Sequence, residues 1–520
     1  MILRYVKKEP DPVHATRRRF IAGSAAALGL AGTTVAVTAL AGEGRAKPAA
    51  RPEPRRPNVI VVLADDLGYG ELGSYGQDLI LTPRLDELAA EGLRFTSAYA
   101  AAPVCAPSRC SMLTGLHVGH AAVRTNPLGG PQGSLGDEDT TFAELLRDQG
   151  YRTACIGKWG FGPEEPDQPS HPNNRGFDEF YGYIGHHHAH DFHPAALWEN
   201  GRRVPVPGNV AGRRGTYAPD LFRDRALEFI QDQADRQQRA RRPDEGQDSG
   251  TGSGAGATER PFLLYFAPNV PHAPSRRLEQ AGYASRPWTK ANKGHAAQVS
   301  HLDTTVGAMV DLLRARGIAD DTVILVTSDN GPHEEGRVDP ARFDAASSLR
   351  GVKRNLYEGG IRVPLLAWGP GRVAAGTETS RQTPLTDVLP TLTELAGART
   401  PDHVDGLSLA GLVGGVHAPG DHRHLYWYRN DPFATPTSQA ADGGRGLQTC
   451  EAVRRGDWKA VRFAPGRDRT VPDHRWDVEL YNLRDDPGER HDVAAEHPET
   501  VARLVNLMHG SWTEPEPLRA

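Results

Sequence analysis

"PNVIVVLADD", Pro57 to Asp66, carries an unbroken apolar run from Val59 to Leu63 that ends in two aspartates. A strand that is apolar at every position, not at alternate ones, is buried on both faces, as inner strands of parallel sheets are. The pattern recurs at "RTACIGK" (152–158), "PFLLYFA" (261–267), "TVILVTSDN" (322–330) and "VPLLAW" (363–368). Helical patterns lie between these runs. "LTPRLDELAAEG" has Thr82 as N-cap, Pro83 at the first helical position and Gly92 as stop. "TFAELLRDQG", "YAPDLFRDRALEFIQDQ" and "LDTTVGAMVDLLRARG" precede the strands at 152–158, 261–267 and 322–330. The alternation predicts an α/β fold: a largely parallel central sheet flanked by helices.

The chain has 520 residues with 38% hydrophobic content, enough for one large domain and a smaller appendage. Lys plus Arg is 60 against 65 for Asp plus Glu, a net charge of −5, which speaks against nucleic acid as a partner because phosphate contacts need a basic face. Cysteines at 105, 110, 155 and 450 form neither paired CxxC zinc spacings nor a dense disulfide framework.

Residues 1–46 read as a twin-arginine signal peptide and cleavage region. Arg17, Arg18 and Arg19 precede an Ala/Gly-rich apolar run, Ile21 to Ala41. The alternative for this run is a membrane anchor. Export to the periplasm or cell exterior, with the twin-arginine machinery as partner, is the expectation. Residues 47–56 read as a linker and 57–420 as the catalytic domain, interrupted at 235–260 by a Gln, Arg, Gly and Ser-rich insertion expected to be disordered. From 421 to 520, "HLYWYR", "CEAVRRGDWKAVRF" and "WDVELYNL" predict a small antiparallel sheet that closes with an amphipathic helix, Pro498 to Trp512.

Polar residues collect where the apolar runs stop. Asp65 and Asp66 end the first strand, Lys158 the second, and Asp329 and Asn330 the fourth, while His272 follows the third after a proline-containing turn. Ligands of open α/β sheets bind outside the carboxyl ends of the strands, so four strand ends deliver chemistry to one rim. Asp65, Asp66, Asp329 and Asn330 are oxygen donors only, a set suited to a hard cation such as Ca²⁺ or Mg²⁺.

"VCAPSRCSMLTG", Val104 to Gly115, adds a candidate nucleophile. Pro107 is placed to start a helix that continues from Ser108 to Leu113, which leaves Cys105 at the N-terminus, where free N–H groups and the Arg109 guanidinium favour a tetrahedral anion. An activated thiolate is the ordinary reading of such a cysteine. The spacing C-x-P-S-R followed by L-T-G, however, resembles the sulfatase signature. The resemblance extends from about residue 57 to about 512 through "VVLADDLGYGELGSYG", "IGKWG", "PHAP", "TSDNGP" and "LRGVKRNLYEGGIRVP".

That resemblance implies an alkaline-phosphatase-like catalytic domain with a smaller C-terminal α+β domain, one Ca²⁺, and hydrolysis of sulfate esters on a small molecule or carbohydrate. It makes Cys105 a Cα-formylglycine, produced by a formylglycine-generating enzyme. It puts Asp65, Asp66, Asp329 and Asn330 on the metal, and Arg109, Lys158, His272 and Lys353 around the sulfate, with His272 as general acid. Many sulfatases read "GKWH" where this chain has Gly157, Lys158, Trp159 and Gly160. The histidine that usually helps deprotonate the covalent sulfate intermediate is therefore missing. His190, in "AHDFHP", resembles a substrate-side histidine and is the first choice to replace it, His120 the second. The alternatives are a phosphonate or phosphodiester hydrolase of the same superfamily and, with Cys105 unmodified, a silent binder of sulfated glycans.

Overall fold

The computed structural model describes residues 55–127, 132–241, 259–275, 282–413 and 420–515. The expected signal peptide (1–46) and most of the linker (47–56) lie outside them. In chain order the principal elements are β1 (Asn58–Ala64), α1 (Pro83–Glu91), β2 (Leu93–Phe95), α2 (Cys105–Thr114), α3 (Phe142–Asp148), β3 (Arg152–Lys158), β4 (Glu179–Tyr183), β5 (Ala196–Glu199), β6 (Arg202–Pro205) and α4 (Ala218–Arg241). They continue with β7 (Phe262–Ala267), α5 (Lys290–Ala315), β8 (Thr322–Ser328), β9 (Leu365–Trp368), β10 (Thr377–Thr379), α6 (Val388–Ala396), β11 (Leu425–Arg429), β12 (Cys450–Arg455), β13 (Trp458–Phe463), β14 (Asp477–Asn482) and α7 (Pro498–Gly510).

Ten strands form the main sheet in the order β10-β2-β9-β8-β1-β7-β3-β4-β5-β6. β1 lies at its centre, parallel to β7 and β8, with Val59 opposite both Leu263 and Val323. β3 and β4 extend the parallel run, and β9 and β5 turn antiparallel on either side. All seven β1 residues are buried, as the unbroken apolar run requires. Ile60 and Val62 enter a core with α1, α4 and α5, whereas Val59, Val61 and Leu63 enter a second core with α2, α3 and α6.

Thr141 caps α3 in a reciprocal box with Glu144. Thr82 stands at the N-cap of α1, but its hydroxyl accepts the Gly73 N–H at 2.8 Å and makes no cap bond. α2 begins at Cys105, two residues before the expected Pro107, whose missing N–H costs nothing in a first turn. The insertion also starts later than expected: residues 235–241 complete α4, and Arg241 pairs with Glu259 at 2.7 Å. Residues 242–258 lie outside the described set. No helix among the described residues is long and apolar enough to cross a membrane.

β11 to β14 form a separate antiparallel sheet in sequence order. One face packs Tyr426, Val453 and Leu480 on Leu504 and Met508 of α7, and the other sets Trp427, Val461 and Phe463 against Tyr99, Leu356 and Ile361. Trp427 joins the two: its ring lies 5.4 Å from Tyr99, and its indole N–H donates to Ala100 O at 2.8 Å. Trp427→Ala is therefore expected to cost about 3–5 kcal/mol. Chemical denaturation checks this, and a loss below about 1 kcal/mol, within the range of surface changes, would show that the junction is not held there.

Candidate active site

The backbone after β1 turns sharply. Asp66 has φ +73, a left-handed conformation rare outside glycine. It is held there because the Asp65 N–H donates to Val270 O (3.0 Å), the Asp66 N–H to Asp329 Oδ1 (3.0 Å), and the Asp329 N–H to Ala64 O (3.1 Å). The ends of β1 and β8 and the turn after β7 are thereby stitched together. Strain so over-determined is a common mark of a functional site.

Around this turn the side chains anticipated from the sequence converge, and Asp65, Asp66, Cys105, Arg109, Lys158, His272, Asp329, Asn330 and Lys353 are all buried. Lys158 Nζ donates to both oxygens of Asp65 at 3.0 and 2.8 Å. The Arg109 guanidinium reaches Asp329 Oδ2 through Nε (2.9 Å) and Nη2 (2.7 Å), and donates from Nη1 to Lys158 O (2.8 Å). Lys353 Nζ donates to Asp66 Oδ2 (2.8 Å) and approaches His272 Nε2 (3.1 Å). Cys105 Sγ stands 3.8 Å from Asp66 Oδ1.

Charge follows the geometry. Burial opposes ionisation of Asp65, yet Lys158, His272 and Arg109 hold its carboxyl well below the usual range. Asp329 goes the other way: burial, with Asp65 and Asp66 nearby, pushes it up despite Arg109. The Cys105 thiol is driven far up by burial, which Lys158 and Lys353 do not overcome.

Asn330 Nδ2 donates to Asp66 Oδ1 (2.7 Å) and Gly331 O (2.9 Å), while its Oδ1 is buried with no partner. A buried acceptor without a donor calls for a ligand, and beside three carboxylates a hard cation fits. Ligand atoms of Asp65, Asp66, Cys105 and His272 also lie within 4.8 Å of one another.

Glu335 and His333 escaped the sequence reading, and His186 stood there only as one of several clustered histidines without a role. Glu335 lies 3.4 Å from both Lys353 Nζ and His272 Nε2 and pairs with Arg354. The His333 Nε2–H donates to Pro271 O (3.1 Å), and its ring stacks on His272 at 5.8 Å. His186 is 5% exposed, with Nδ1 unpartnered. The signal for the first two lay in "SDNGPHEEG", but nothing there tells Glu335 from Glu334, which instead accepts the Thr437 N–H at 2.7 Å.

His190 stacks on His272, ring centroids 4.6 Å apart and 8° from parallel, with Nε2 buried and unpartnered. His120 is not in the site. It pairs with Asp405 at 3.0 Å and stacks on His117, past the opposite end of α2 from Cys105. As a ten-residue helix is about 15 Å long, His120 is too distant to serve residue 105.

The Sulfatase family model matches residues 57–240 and 253–398, a span that contains this whole cradle. The chain belongs to the sulfatase family. A second model, N-sulphoglucosamine sulphohydrolase C-terminal, matches 352–513. Human arylsulfatase A is 33% identical over 87% of this chain and 87% of its own, and human N-acetylgalactosamine-6-sulfatase 30% identical over 88% and 85%. The crystal structure of Ps i-CgsB in complex with k-i-k-neocarrahexaose superposes with a TM-score of 0.69 at 26% identity, over 88% of this chain and 93% of that one. This sulfatase is thus a sulfuric ester hydrolase, built on the expected α/β fold with its smaller antiparallel sheet.

Proposed function

We propose that the enzyme hydrolyses sulfate esters of carbohydrates through a formylglycine formed from Cys105. The observation that carries this reading is the placement of Cys105 at the first residue of α2, against Asp66 and within 4.8 Å of ligand atoms of Asp65 and His272. Burial drives an unmodified thiol there up and disfavours its thiolate, the nucleophilic form. A hydrated aldehyde needs no such ionisation: one hydroxyl attacks sulfur, and the other later expels sulfate as the carbonyl reforms.

Asp65, Asp66, Asp329 and Asn330 would hold a Ca²⁺ or Mg²⁺, which when bound polarises sulfate oxygens. Arg109, Lys158 and Lys353 supply fixed positive charge where the sulfate sits. His272 presents Nε2 to the site while its Nδ1–H donates to Ala273 O, so a second proton, taken up on Nε2, is the one it can pass to a leaving alcohol. His272→Ala should therefore lose about 10²–10⁴-fold on sugar sulfates and much less on nitrophenyl sulfate, whose anion leaves unaided. Equal losses on both, measured as kcat/KM, would remove His272 from the acid role.

The carbohydrate class is inferred from the relatives: one is named for N-acetylgalactosamine-6-sulfate chemistry and Ps i-CgsB is bound to k-i-k-neocarrahexaose. Phe433, 58% exposed, offers an apolar face two residues from Asp431, which lies 3.7 Å from Arg354. Export on the twin-arginine pattern of residues 1–46 accords with such a substrate. A phosphate monoester gains a second charge above pH ~6, so a cradle for a monoanion favours sulfate. Assays should give a higher kcat/KM for an aryl sulfate than for the matching phosphate monoester or phosphodiester. The reverse order with the phosphodiester would make the enzyme a phosphodiesterase.

A further inference from the structure

The "GKWG" segment runs beside the end of β4: the Trp159 N–H donates to Tyr183 O at 2.8 Å and the Gly160 N–H to Ile184 O at 3.0 Å. Gly160 has φ +100, and a Cβ there would stand 3.1 Å from Arg109 Cδ and 3.5 Å from Lys158 Cε. A Cβ at this position would thus press on the cationic cradle, and at φ +100 glycine alone sits there without strain. His186 follows Ile184 by two residues. Its N–H donates to Gln132 Oε1 (2.7 Å), and Gln132 Nε2 donates to Gly162 O (3.0 Å), so one side chain clamps His186 to the same segment.

We propose that His186 is the base that takes the proton from the covalent sulfate intermediate, the role left vacant at Gly160. The proposal rests on the formylglycine reading above. Its ring is buried, Nδ1 has no partner, and it meets His190 edge-on at 5.2 Å. Among the charges acting on it, Lys158 is foremost, ahead of His190, Lys353 and His272. Burial, with Lys158 and Lys353 nearby, pushes its pKa well below the usual imidazole range and keeps the ring neutral, with a lone pair free to accept a proton. Sulfate in the cradle offsets the same cations and makes that proton easier to hold.

Position separates His186 from His190, the histidine favoured by the sequence. Attacking and leaving oxygens lie on opposite sides of sulfur in an in-line displacement. His190 stacks on His272, the donor to the leaving oxygen, whereas His186 is clamped through Gln132 to the segment that carries Gly160. In the step, His186 takes the hydroxyl proton of residue 105, and the O–H electron pair becomes the second carbonyl bond. The bond from that carbon to the sulfate oxygen breaks and sulfate leaves with its electrons. Water then adds to the aldehyde, and His186 returns its proton to solvent.

The test uses mature enzyme whose residue 105 is confirmed as the aldehyde by peptide mass. His186→Gln, mixed rapidly with nitrophenyl sulfate, should give a full burst, itself proof of a folded site, then turnover slower by about 10²–10⁴-fold, with sulfate retained on residue 105. His190→Gln should show no such adduct. An adduct-free His186→Gln, or an adduct in His190→Gln alone, overturns the assignment to His186 and leaves the formylglycine reading standing. Active wild-type enzyme with an unmodified thiol at 105 would overturn both.

Discussion

Cys105→Ser, made in a host whose modifying enzyme oxidises only cysteine, is expected to lose about 10⁶-fold in kcat, the scale on which removal of a covalent nucleophile acts, with its melting temperature unchanged. The fold should not notice the change. Cys105 occupies the first residue of α2, where serine is at home, and its sulfur makes a weak hydrogen-bond contact with Asp66 Oδ1 at 3.8 Å. The chemistry should notice it completely. A serine hydroxyl could attack sulfur once, but its sulfate ester lacks the second hydroxyl needed to expel sulfate without water. Aldehyde labelling and peptide mass spectrometry of the wild type check the premise. Full activity with a free thiol at 105 would discard the mechanism, and burial of that thiol, which suppresses its ionisation, argues against such an outcome.

The sheet was legible because its signal is local. Each inner strand is buried on both faces, so Val59 to Leu63 and Thr322 to Ser328 announce themselves as continuous runs. The ends of those runs announced the cradle. Side-chain direction was harder to read. "GHHHAHDFHP" contains His186, His187, His188, His190 and His193, and no period within it tells that His186 and His190 turn toward the cradle while His187 is exposed. Folding of the loop onto Gln132 decides that, and residue 132 lies 54 positions away. Likewise His120 looked near Cys105 along the sequence, but the rigid length of α2 separates them. Tertiary clamps and helix geometry settled what spacing could not.

Removal of divalent cations should abolish turnover, and Ca²⁺ or Mg²⁺ should restore it, because the site gathers more buried carboxylate than its ammonium and guanidinium partners fully satisfy. Lys158 pairs with both oxygens of Asp65, but Asp329 is pushed up by burial and by its neighbours, and Asn330 Oδ1 has no donor. A bound dication relieves both conditions at once. Its binding must then also stabilise the fold, by about 2.7 kcal/mol at a hundred times the Kd, which a melting curve reads without any substrate. Asp329→Ala separates this from a nonspecific salt effect. It removes one oxygen donor and also frees Arg109 Nε and Nη2 from their 2.9 and 2.7 Å bonds, so the variant should lose bound metal, the cation-dependent rise in melting temperature, and at least about 10²-fold in kcat, the upper end for outer-shell partners of a metal. Arg109→Gln breaks the same ion pair but leaves the carboxylate in place, so it should keep cation-dependent stabilisation while losing activity. Equal metal content in Asp329→Ala and wild type, measured by atomic emission, would show that the ligand set is wrong.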